Sequence, residues 1–147
     1  MCDVTTKVEE ACAIAALTQA IVVKLHRLYT SNQSWRIYRK ALIEENKWRA
    51  ARYGIEGKMI DFGKEQEVPM KVLIPELLEL VDDVVDDLGS RSAVQYVETM
   101  LREGTSAERQ LKVFQETGDL KAVVQHVVAE TRAGVADPKP SSARATR

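Results

Sequence analysis

The chain has 147 residues, the size of one domain or part of one, and its 45% hydrophobic and 29% charged residues are ordinary for a globular protein. The net charge of −1 excludes a global basic field able to hold a nucleic-acid backbone. Two cysteines, Cys2 and Cys12, make neither a disulfide framework nor a metal knuckle; they read as reduced thiols of a cytoplasmic protein, with Cys12 a small core residue.

The first helix is expected over residues 7–29. Ile14, Leu17, Ile21, Leu25 and Leu28 recur at helical spacing, and Ala13, Ala16, Ala20 and Val23 cover much of the other side. A helix apolar nearly all round belongs at the centre, packed on several sides. Its apolar run, ACAIAALTQAIVV, contains Thr18 and Gln19 and falls short of the about twenty apolar residues a membrane span needs. Asp3, Glu9 and Glu10 stand where a signal peptide carries positive charge.

After the polar break TSNQS, a second helix is expected over residues 35–53, ended by Gly54. KMIDF, residues 58–62, is the one short extended segment. A third helix follows Pro69 and ends at Gly89, with Pro75 in or near its first turn. A fourth covers residues 92–103. Thr105 and Glu108 form a capping box that opens a fifth, closed by Gly118. Asp119 caps a sixth, to about residue 131, and the Pro/Ser/Arg composition of residues 133–147 predicts a disordered tail. There is no internal repeat.

DDVVDD, residues 82–87, contains the DDxxD pattern that holds magnesium–diphosphate in helical prenyl-transfer enzymes. At about 100° per residue, Ile74, Leu77, Leu78, Val81, Val84, Val85 and Leu88 share one face. Asp82, Asp83, Asp86 and Asp87 fall on the other, so they read as a solvated acidic face. His26 and His126 have no neighbour at metal-ligand spacing and read as incidental.

The second helix carries the candidate site. Ile37, Ala41, Trp48 and Ala51 form an apolar wedge; Leu42 and Tyr53 form another apolar edge. Tyr38, Glu45, Arg49 and Arg52 fall between them. Glu45 precedes Arg49 by one turn, the favourable order for an ion pair. Two guanidiniums between apolar edges are costly unless paired with carboxylate or phosphate. Either an anion is missing or carboxylates elsewhere in the fold supply the pairing; residue chemistry leaves both open.

ENKWRAARYGIEGKMIDF, together with CDVTTKVEEACAIAALTQAI and EGTSAERQLKVFQETGDLKAVVQHVVAET, resembles the bacterial glutamate–cysteine ligase type 2, or carboxylate–amine ligase, family. The first block matches that family's Asn-x-Trp-x-Ala-x-Arg-Tyr-Gly pattern. The three segments cover most of residues 2 to 132 in family order, and the resemblance is to the C-terminal portion alone. It implies an N-terminal sheet, akin to that of glutamine synthetase, bearing the acidic metal ligands and much of the ATP site. A Glu-x-Arg strand precedes the Cys-Asp pair in the family; here Met1 stands in its place. Most of the catalytic apparatus is therefore expected outside this chain.

The expectation is a mainly α fold of about six helices with at most a short strand, the helical C-terminal portion of a glutamine-synthetase-like α+β ligase. The resemblance implies ATP and magnesium for the complete enzyme, with neither held by this chain alone, and no catalytic or metal residue within it. Arg49 and Arg52 would face a phosphate or substrate carboxylate, Asn46 would orient a neighbour, and Trp48 would anchor the helix in the core. Expected partners are the missing catalytic half, or a second copy through apolar helix faces. The rival is a stand-alone helical interaction module without catalysis. A DNA-binding helix pair using Arg36, Arg39, Lys40, Lys47 and Arg49 fits poorly, because those residues are spread round the helix.

Overall fold

The computed structural model describes residues 5–33 and 37–134. Among them are six α-helices and one small hairpin, in the order α1 Val8–Thr30, α2 Lys40–Tyr53, β1 Lys58–Asp61, β2 Gln66–Pro69, α3 Met70–Val85, α4 Arg91–Glu103, α5 Ser106–Thr117 and α6 Leu120–Ala133. A single 3-10 turn, Gly54–Glu56, links α2 to β1. The fold is mainly α, and no helix among the described residues is long and apolar enough to cross a membrane.

The core lies where α1 meets α3 and α4. Ala20, Val81, Val84, Val85 and Val94 are buried there, flanked by Leu17, Ile21, Leu78 and Leu88. The apolar face of α3 is thus the one its periodicity predicts. Its opposite face is ionic: Lys24 reaches Asp83 at 2.8 Å, Arg27 reaches Asp87 at 2.7 Å, and Arg91 bridges Asp82 and Asp86. The DDxxD aspartates are exposed surface groups that tie α3 to α1 and to the start of α4.

Local signals set the later boundaries. Thr105 accepts from the Glu108 amide while the Glu108 carboxylate accepts from the Thr105 amide, so the capping box is complete. Gly118 closes α5 in the left-handed conformation, and Asp119 accepts from the Lys121 amide to open α6.

Four expectations need correction. First, α1 buries one face, through Glu10, Ala13 and Ala20, and leaves Val22, Leu25 and Tyr29 exposed; it is not enclosed on all sides. Second, Cys12 is exposed rather than a core residue, because it falls on the side of α1 away from α4 and α3. Third, α2 begins at Lys40, not at residue 35. Residues 34–36 lie outside the described residues, but residues 37–39 are not helical, and the Tyr38 ring packs on Phe62 with centroids 4.6 Å apart. Tyr38 thus packs on the hairpin turn, and a β-branched and an aromatic residue favour helix extension weakly. Fourth, the extended segment has a partner strand: Met59 pairs with Val68 and Ile60 with Glu67, antiparallel. Asp61 turns the hairpin by accepting from the amides of Gly63 and Lys64. From residue 135 on, the expected tail lies outside the described residues.

Candidate functional site

The candidate residues sit where α2 rests on the hairpin. Asn46 makes that junction: its Nδ2 donates to the Ile60 carbonyl at 2.9 Å and its Oδ1 accepts from the Ile60 amide at 2.8 Å. One side-chain amide thereby satisfies both backbone groups of a strand residue and fixes β1 along the helix. The neighbour that Asn46 orients is this strand.

Strand alternation then places the charges. Met59 and Val68 are paired and buried on one face, so Lys58 and Glu67 project from the other. Arg49 lies one turn beyond Glu45. Its Nε donates to Glu45 at 2.8 Å, and its Nη1 donates to Glu67 at 2.7 Å, with a longer 3.5 Å contact to the Lys58 carbonyl. Glu45 first, then Glu67, raises the Arg49 pKa above its ordinary value. The second carboxylate comes from the hairpin, so for Arg49 the fold supplies its own pairing. Its Nη2 keeps no partner among the described residues, which leaves donors for a further group.

Arg49 borders an open cleft of about 410 Å³, walled by Trp48 and Tyr53 and lined also by Glu56, Gly57, Lys58 and Glu67. Gly57 forms its floor at close quarters: a Cβ there would meet the Tyr53 Cβ at 2.9 Å. Arg52 is exposed and has no hydrogen-bond or ion-pair partner among the described residues. The two arginines are therefore not both paired and buried, the arrangement that would make them purely structural. Trp48 corrects another expectation. It is 55% exposed and packs edge-on against Tyr53 at 5.7 Å, forming a wall of the open cleft rather than an anchor in a core.

A second ionic cluster gave little sign in the sequence. Arg109 on α5 holds Glu10 of α1 at 2.8 Å and Glu130 of α6 at 2.7 Å, and its Nη1 donates to the Gly104 carbonyl at 2.7 Å. Thr6 donates to Glu130 at 2.6 Å. Burial pushes the Glu130 carboxyl up, but the Thr6 hydroxyl and the Arg109 guanidinium outweigh it and hold the group below its ordinary value. His126 lies one turn before Glu130 with its Nε2 buried and 3.5 Å from that carboxylate. His26 is an exposed residue of α1. The available signal was Glu10 itself, a charge immediately before the apolar run of α1.

The profile of the glutamate-cysteine ligase family 2 matches residues 1–126. The chain belongs to that family. Proteins named "Putative glutamate--cysteine ligase 2" are similar over nearly all of it. The one from Herpetosiphon aurantiacus is 58% identical over 135 residues, 92% of this chain and 35% of the relative. Those from Chloroflexus aggregans and Solibacter usitatus are 57% and 54% identical over 92% and 94% of the chain. The chain thus spans about a third of the length of these ligase-family relatives. No solved structure matches it.

Proposed function

We propose that the chain is the helical portion of a cytoplasmic, ATP-dependent carboxylate–amine ligase that joins glutamate to cysteine. In this reading the γ-phosphoryl group of ATP passes to the glutamate γ-carboxylate and ADP leaves. The cysteine amine then attacks the acyl carbon, phosphate departs with the bonding pair, and the amine gives up a proton. ATP and magnesium would be held by the two thirds of the relatives that this chain does not match, and the chain alone would be inactive. Among the described residues no group of three or more His, Cys, Asp or Glu is placed to hold a metal, so magnesium is assigned to no residue here.

What this chain's residues would supply is positive charge at the cleft. Arg49, oriented by Glu45 and Glu67 and with Nη2 free, would donate to a phosphoryl or carboxylate oxygen as charge develops on it. Arg52, one turn from Trp48 and outside the lining of the cleft, would offer a second guanidinium beside it. Asn46 would hold β1, and with it Glu67, in register. The observation that carries the reading is the family match together with an arginine that is fixed in place yet keeps an unused nitrogen.

The test is a graft. The matched 135 residues of the Herpetosiphon aurantiacus relative are replaced by those of this chain. ADP release is then measured with glutamate and cysteine, for the graft, the relative and the isolated chain. The graft should release ADP only when both amino acids are present, and the isolated chain should not. Release by the isolated chain would mean that it holds a complete site. A silent graft beside an active relative would favour the non-catalytic module.

A further inference from the structure

The family reading leaves open how α2 meets the rest of such an enzyme. α2 has no buried residue, although it carries a tryptophan. Its contacts are with β1 and the 3-10 turn alone among the larger packings, and Asn46 marks that side. Ala41, Trp48 and Ala51 are exposed, Trp48 also walling the cleft beside the hairpin, and Ile37 just before the helix is fully exposed. Arg52 follows Trp48 by four residues, which places it beside that ring on the same side. Exposed apolar residues on one side of a helix, beside a cation with no partner among the described residues, mark an interface rather than a free surface.

We infer that the Ala41–Trp48–Ala51 side of α2 docks against the portion of the ligase that lies outside this chain, and that this docking delivers Arg52 to an anion on the other side. The inference rests on the ligase reading. It commits to that occupant for two reasons. About 65% of the relatives' length is unaccounted for, a body large enough to cover that side of α2. The surface also demands a particular chemistry: an apolar patch for Trp48 and a carboxylate or bound phosphate opposite Arg52. A second copy of this chain fits less well, because a symmetric contact would set Arg52 near its own counterpart. Trp48 supplies most of the binding in this arrangement, as large aromatic side chains do at interface centres.

Hydroxyl-radical footprinting with mass spectrometry tests this on the same graft. In the 147-residue chain alone, Trp48 should oxidise at the rate of an exposed indole. In the graft its rate should fall at least about tenfold, the protection expected of a side chain at the centre of an interface. Leu120 and Val124, exposed on α6, serve as comparators on a different surface. Trp48→Lys, which alters an exposed side chain and leaves the helical circular dichroism of the isolated chain intact, should restore labelling of Ala41 and Ala51 in the graft. Unchanged Trp48 oxidation in a graft that releases ADP would overturn the docking and leave the ligase reading standing. Protection in a graft that is silent would do the reverse. Protection already present in the isolated chain and lost on dilution would assign that side of α2 to a second copy and overturn the inference.

Discussion

Two arginines in this molecule are each held between two glutamates, and they do different things. Arg109 joins helices α1, α5 and α6, with its side chain 12% exposed and Glu10 and Glu130 at 3% and 11%. Arg49 joins α2 to the hairpin, its side chain 20% exposed but Glu45 and Glu67 at 43% and 53%, so the contrast lies in the carboxylates. The ion-pair arrangement is similar; the solvent around it is not. A buried triad leaves uncompensated charge when one member is removed, whereas an exposed one is rescued by water. Arg109 is therefore a fastener, whereas the Arg49 pairs are open to water, as the proposed ligand role requires. Motif chemistry alone does not separate the two, because burial is what decides.

The sharpest way to break this contrast is to remove each arginine in turn. Arg109→Ala should lower the stability of the chain by about 3 kcal/mol, the cost of orphaning buried carboxylates, and should release the α5–α6 hairpin first. Urea unfolding and amide exchange measure both parts. A loss no larger than that of Arg49→Ala would erase the distinction. Arg49→Ala should leave the melting transition of the isolated chain close to wild type while lowering turnover of the grafted ligase roughly a hundredfold, the scale of one lost transition-state donor. Arg52→Ala should also lower turnover. A graft that keeps its turnover without either arginine would remove them from the site.

A smaller effect separates the hairpin from the bundle. Asn46→Ala deprives both backbone groups of Ile60 of their partner in a half-buried place, and should cost about 1–2 kcal/mol. Amide exchange should quicken in β1 and β2 and not in α4. Equal quickening in both would show that the hairpin is not an independent unit.

The smallest effect comes from acid. Glu130 sits below its ordinary 4.5 in the folded chain. Its stabilising contribution is therefore complete above 4.5 and fades as pH falls through the lower folded value. On acidification the α5–α6 hairpin should loosen, with Glu130→Gln flattening the dependence. Loosening that begins on the alkaline side would contradict the sign. The Arg49 cluster, being exposed, should show little such response.

Legibility followed the range of the interactions. The apolar face of α3, the Thr105–Glu108 box, the Gly118 stop and the Asp119 cap all depend on residues within one or two turns, and the sequence displays them directly. Glu45, Arg49 and Arg52 are recognisable from spacing as a polar group on one helix, and Asn46 through the family resemblance. Glu67, which completes the Arg49 pair, sits 18 residues along the chain, beyond a hairpin turn and on a second strand whose short polar sequence carries little strand signal. Glu10 and Arg109 come together from opposite ends of the chain, and Trp48 looked like a core anchor because apolar periodicity records that a face is to be covered without recording by what.

By itself, then, the sequence determined the helices, their caps, the solvated aspartate face and, through its resemblance, the family. Those properties rest on local hydrogen bonding, side-chain periodicity and short motifs, which a linear string preserves. Only the tertiary structure decided which arginine is buried, which carboxylates meet it, and that the tryptophan side of α2 is left uncovered. Burial is a property of the assembled surface. The desolvation that turns one ion pair into a fastener and leaves another available is set by segments far apart in the chain.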